Sequence, residues 1–146
     1  MRANMGWAAA LLLCAGCAGV ESRVNKGKVV DTIDQAPAQK DYLEAIGIGA
    51  SDPSLPSDTQ RKALARDAAI VKAQYEMLSM VKGVELEGGI VVQRAIEQDS
   101  TLETKIKETI KGADILKSEF TADGGCVVTI RVLKKRLEEM MGVKFR

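Results

Sequence analysis

Histidine is missing from the whole chain, and aromatic residues fill only 3% of its 146 positions. The first absence removes the commonest general base and the commonest zinc ligand. The second requires an aliphatic core, built from Leu, Ile, Val, Met and Ala. An excess of one charge is also lacking, since 21 Lys and Arg face 20 Asp and Glu. A surface so balanced carries no basic patch, and no nucleic-acid partner is expected. Long apolar runs are absent too. The run at residues 7–13 falls well short of the roughly 20 residues a membrane-spanning helix needs.

That run is nevertheless the most informative stretch. Met1-Arg2 supplies a positive start, the apolar run follows, and small residues lead to Cys17. This order is that of a secretory signal peptide. Leu11-Leu12-Leu13-Cys14-Ala15-Gly16-Cys17 resembles the bacterial lipobox, with Cys14 standing where that motif usually has Leu. The resemblance implies that the Cys17 thiol takes a diacylglyceryl group, that cleavage precedes it, and that the new amine is acylated. Two or more acyl chains hold a protein firmly to a bilayer. Two other readings of the segment stay open: an ordinary signal cut after Ala18, or an uncleaved anchor. By resemblance to sorting rules in double-membraned bacteria, Ala18 after the cysteine favours the outer membrane. The expected organisation is a signal peptide over residues 1–16, a lipidated amino terminus and polar tether over 17–39, and one domain over 40–146.

The chain has three cysteines. With Cys14 removed and Cys17 lipidated, Cys126 has no partner within the chain. The domain must then be stabilised by its core, with no disulfide.

The remaining sequence reads as an α+β domain in the order β-α-β-(α)-β-β-α, a small sheet on one long helix. A short strand within residues 28–33 is possible inside the tether. Over 41–50 a strand places Tyr42, Ile46 and Ile48 on one face and Leu43, Ala45, Gly47 and Gly49 on the other. The second face shrinks to Ala and Gly, which lets a helix backbone approach closely. Ser57 with Gln60 forms a capping box for a helix that runs to Lys82 and stops at Gly83. Leu64, Ala68, Val71, Tyr75 and Leu78 make one apolar stripe, and Ala63, Ile70, Met77 and Val81 a second beside it. An arc this wide is read as core, with a partner-binding face as the alternative. Residues 84–93 read as a strand interrupted by Gly88-Gly89, a bulge or a tight turn. A weaker helix follows, capped by Ser100 with Glu103, lined by Leu102, Ile106 and Ile110, and ended by Gly112. Residues 113–132 form a hairpin around Asp123-Gly124-Gly125. A three-residue loop pairing Phe120 with Val128, Ser118 with Ile130 and Leu116 with Val132 collects the apolar residues on one face. Residues 133–141 close the chain as a short helix.

Several of these pieces occur together in one known family. They are the lipobox, the polar tether, the strand ending Gly47-Ile48-Gly49, and the alanine-rich helix through Arg61-Lys62-Ala63-Leu64-Ala65-Arg66-Asp67-Ala68. Val81-Lys82-Gly83-Val84 and the late Asp-Gly hairpin with Val127-Val128-Thr129-Ile130 complete the set. Together they resemble the Lpp-twenty family of small bacterial surface lipoproteins, whose domain is related to one in the flagellar assembly protein T. The resemblance spans residues 42–141. It implies an α+β fold and membrane attachment, and it supplies no catalytic residues.

Chemistry is scarce elsewhere. Gly47-Ile48-Gly49 lacks the third glycine of a dinucleotide fingerprint, with Asp52 in its place, so no phosphate cradle is expected. Glu85 with Glu87, and Glu138 with Glu139, read as solvated faces. Serines and threonines have no histidine to activate them. Cys126 reads as a buried structural thiol, the alternatives being a reactive thiol or an intermolecular bridge. The expectation is therefore a non-catalytic outer-membrane lipoprotein without cofactor or metal. It would act structurally, in assembly or through protein contacts, with an envelope protein or a second copy as partner. The alternative is a carrier of a small apolar ligand. A large empty cavity beside Tyr75, Met77 and Phe120 would favour the carrier, and a filled core with an exposed strand edge or apolar helix stripe the docking role.

Overall fold

A computed structural model describes residues 19–30, 34–35 and 38–146. The lipobox and Cys17 lie outside them, as does Ile33 at the end of the possible strand. The chain forms β1 (Val24–Asn25), β2 (Lys28–Val29), β3 (Tyr42–Gly49), α1 (Asp58–Lys82), α2 (Val92–Gln98), α3 (Ser100–Lys111), β4 (Asp114–Phe120), β5 (Cys126–Leu133) and α4 (Lys134–Met141). β3, β5 and β4 form an antiparallel sheet in that order, and β1 pairs with β2 as a separate hairpin. The fold is a single α+β domain with its long helix on the sheet, as the sequence predicts.

The seam between α1 and β3 is set by side-chain size. A Cβ placed on Gly47 would lie 2.0 Å from the Ala69 carbonyl oxygen, and one on Gly49 would lie 1.9 Å from that of Ala65. Neither glycine has a positive φ. They are required for close approach alone, and the helix backbone fills the space their missing side chains leave. The facing stripe of α1 is correspondingly small: Ala65, Ala69 and Ala73 are fully buried, followed by Met77 and Val81. Side chains enlarge along β3 in the same direction, from Gly49 and Gly47 to Ala45 and Leu43, both fully buried.

This corrects the expected face of α1. Leu64, Val71 and Tyr75 are 48%, 65% and 64% exposed, and Ala63 and Ala68 are exposed beside them. The first stripe thus points to solvent as far as Tyr75, with Leu78 packed on the core; of the second, Met77 and Val81 are buried and Ile70 packs on the core as expected. Ser57 occupies the N-cap position in extended geometry, but its side chain makes no capping bond, so the predicted capping box is not formed.

β5 is the central strand and is covered on both faces, with Val127 at 1% and Thr129 at 3% exposure as well as Val128 and Ile130. The hairpin keeps its three-residue loop, but Thr121 N–H donates to Gly125 O, and Phe120 pairs with Cys126 and Ser118 with Val128. The predicted pairs are thus shifted by two residues. The cause is local: Gly124 holds φ +85 and so takes the left-handed position that ends such a loop. A shift of two preserves which face each side chain occupies. A further irregularity between Ile115 and Lys117 moves Ile115 opposite Ile130, the place the shift alone would give Leu116, so Leu116 has no direct partner. Phe120 remains 41% exposed.

The predicted strand over 84–93 is reduced to isolated bridges, Glu85 with Val91 and Leu86 with Phe145. Gly88 and Gly89 form a tight turn with φ +104 and +79. Val92 opens α2 instead of ending a strand, because Val92 and Ile96 lie one turn apart and are both buried. α3 is capped by Asp99, not Ser100: the Asp99 carboxylate accepts from Thr101 N–H at 2.9 Å. Ile106 and Ile110 are buried and Gly112 ends the helix as expected.

Candidate functional site

No predicted site residue with bond-making chemistry is assembled into a reactive constellation among the described residues. Gly47 and Gly49 face α1 and leave no room for a phosphate. Glu85 pairs with Arg146 at 2.8 Å and the Glu138 carboxylate accepts from Phe145 N–H at 2.9 Å, so one member of each acidic pair fastens the carboxyl-terminal tail. Glu87, Glu138 and Glu139 line one open groove, where Lys135 and Lys144 offset them. Cys126 is fully buried and unpaired by disulfide, and burial pushes its thiol pKa up, away from the reactive thiolate.

What the fold does expose is apolar surface. Each residue of an α-helix turns about 100°, so a stripe spaced four and three stays on one side for several turns. Leu64, Ala68, Val71 and Tyr75 lie on the side of α1 opposite the buried Ala65, Ala69 and Ala73. Leu78 continues the stripe and is half-buried against the core. Lys72 borders it, pairing with Glu76 at 2.6 Å and standing 5.2 Å from the Tyr75 ring centre. Asp67 borders the other side, exposed to solvent. The stripe is legible in the sequence, and its exposure matches the partner-binding alternative and not the core reading.

The two sheet edges are partly closed. The Gln35 side chain imitates a neighbouring strand against β3: its amide nitrogen donates to Ile46 O at 3.0 Å, and its oxygen accepts from Ile46 N–H at 2.8 Å. Beside β4, the Glu119 carboxylate accepts from the Ser22 hydroxyl and from Arg23 N–H at 2.7 Å. Ala122 N–H, just past β4, donates to Gly27 O at 2.7 Å. The segment expected to be a free tether therefore docks on the domain through Ser22, Arg23, Gly27 and Gln35. Its turn is tight enough to hold Lys26 at φ 49 and Gly27 at φ 77.

Cavities do not match those expected of a carrier. Met77 is sealed in the core, while Tyr75 and Phe120 are exposed, and the cleft between Tyr75 and α3 holds only about 140 Å³. An open groove of about 430 Å³ lies elsewhere, between the β1–β2 turn and Ile48, Ala50 and Ala122. Comparison with protein-family models, curated proteins and solved structures yields no match.

Proposed function

We propose that this chain is a bacterial envelope lipoprotein, held at the outer membrane by acyl chains on Cys17, whose domain works by docking to protein and performs no reaction. The observation that carries this reading is the apolar stripe on the solvent face of α1. As far as Tyr75 the fully buried residues of α1 are all alanines, while the larger Leu64, Val71 and Tyr75 face away from the domain; Met77 and Val81 turn inward only beyond them. The resemblance to the Lpp-twenty family supports the membrane attachment, and the absence of histidine supports a role without catalysis.

The anchor is tested by metabolic labelling. Wild-type chain and Cys14→Ser should incorporate radiolabelled palmitate, and Cys17→Ser should not. Label entering Cys17→Ser would overturn the assignment. A co-purifying apolar molecule that protects Ile48 and Ala50 from solvent would replace the docking role with the carrier.

A further inference from the structure

We infer that the exposed face of α1 is a self-association surface, on which a second copy of this chain docks its own α1 in parallel. The inference deepens the docking reading by naming the partner, and it rests on that reading. Leu64, Ala68, Val71 and Tyr75 alternate at four and three residues, the spacing of a coiled-coil seam, over about 17 Å of exposed helix, and Leu78, half-buried against the core, ends the run. Leu64, Val71 and Leu78 share one heptad position, and Ala68 and Tyr75 the other.

Charge selects both the occupant and its direction. In this frame Asp67 and Lys72 flank the seam on opposite sides, five residues apart. That is the separation at which flanking residues of two parallel helices meet. A parallel second copy therefore brings Asp67 of each chain to Lys72 of the other, forming two ion pairs related by the dimer axis. An antiparallel copy sets Asp67 towards Asp67 and Lys72 towards Lys72. The Lys72–Glu76 pair lies along the helix and does not block this contact, because an ammonium group has three protons to donate. Acyl chains on two copies in one membrane would also align the two helices in the same sense and raise their effective concentration.

The test uses the full chain in bacterial membranes, with cysteine introduced at the seam. Ala68→Cys should form a disulfide-linked dimer on mild oxidation, since parallel packing places position 68 against itself. The unmodified chain should remain uncrosslinked, because Cys126 is buried. Cells co-expressing Leu64→Cys and Tyr75→Cys chains should give no mixed dimer, as that pairing needs antiparallel helices. Adding Asp67→Lys to Ala68→Cys should lower the dimer yield several-fold, and adding Lys72→Asp as well should restore it. Absence of the Ala68→Cys dimer, a mixed dimer from positions 64 and 75, or no rescue by the charge swap would overturn the inference. Capture of a different protein at Ala68 would overturn self-association while leaving the docking reading intact. Palmitate entering Cys17→Ser would instead overturn the anchor alone.

Discussion

At the residue scale, Gly47 and Gly49 decide how close α1 can come to the sheet. A methyl group on Gly47 would lie 2.0 Å from one backbone atom of α1 and 2.3 Å from another, and backbone cannot rotate aside as a side chain can. Gly47→Ala should therefore destabilise the domain at or above the ~1–3 kcal/mol usual for overpacking. A lowered urea midpoint checks it, and an unchanged midpoint would place α1 farther from β3. Gly83 is the internal control. Its φ is −84, and an added Cβ would have its nearest neighbour at 3.6 Å. Gly83→Ala should stabilise by ~0.4–1 kcal/mol, through reduced freedom of the unfolded chain. The role of Gly47 and Gly49 was legible in sequence because alternation put both on the face that narrows. Their complement, Ala65-Ala69-Ala73, was equally visible, but alanine is weakly apolar and yields to Leu and Val in any ranking by hydrophobicity. Steric fit, not hydrophobicity, chose the buried face.

The element scale gives the same conclusion about α1 by a different measurement. Ala69→Leu should unfold the domain or lower its midpoint sharply, because the added atoms meet β3. Val71→Ser, on the opposite side, should change monomer stability by no more than ~0.5 kcal/mol, as surface substitutions do. Equal effects of the two would show that both faces are core. α3 offers a third case. Its N-cap was assigned to Ser100 from the Ser-x-x-Glu pattern, yet the chain uses Asp99, one residue earlier. Hydrogen bonds from the Thr101 hydroxyl and N–H lower the Asp99 pKa below that of a free aspartate. Asp99→Ala should lower the thermal midpoint through loss of the cap, while Ser100→Ala should lower it less. The hairpin register was legible only in part. Burying one face fixes parity but not position, and φ +85 at Gly124 decides between registers two residues apart. The strand over 84–93 failed because Ile90-Val91-Val92 is too short a run for periodicity to separate the end of a strand from the start of a helix.

For the whole molecule, the amino-terminal segment matters most, because it joins the proposed anchor to the domain. Composition suggested a polar tether over 17–39, and nothing local distinguishes such a segment from one that docks; its partners, Glu119, Ala122 and Ile46, are remote in sequence. With Ser22 already bonded to β4, residues 17–21 alone would separate lipidated Cys17 from the domain. Five residues span at most ~18 Å, so the domain would sit close to the bilayer, not free on a long leash. Glu119 is the group that governs this attachment. Burial pushes its pKa up, but the Ser22 hydroxyl, Arg23 N–H and Lys117 more than compensate, and the net direction is down. A carboxyl whose folded pKa is depressed contributes stability above its unfolded pKa, and that contribution is lost as pH falls through the lowered folded value. The segment should therefore stay docked at neutral pH and loosen in acid, below the ordinary glutamate range. Glu119→Gln removes the charge without acid. At neutral pH trypsin should then cut faster after Lys26 and Lys28, while cleavage elsewhere in the domain is unchanged. Equal cleavage rates in wild type and Glu119→Gln would mean that the segment is held by its other bonds, to Ala122 and through Gln35, and that the carboxylate is dispensable.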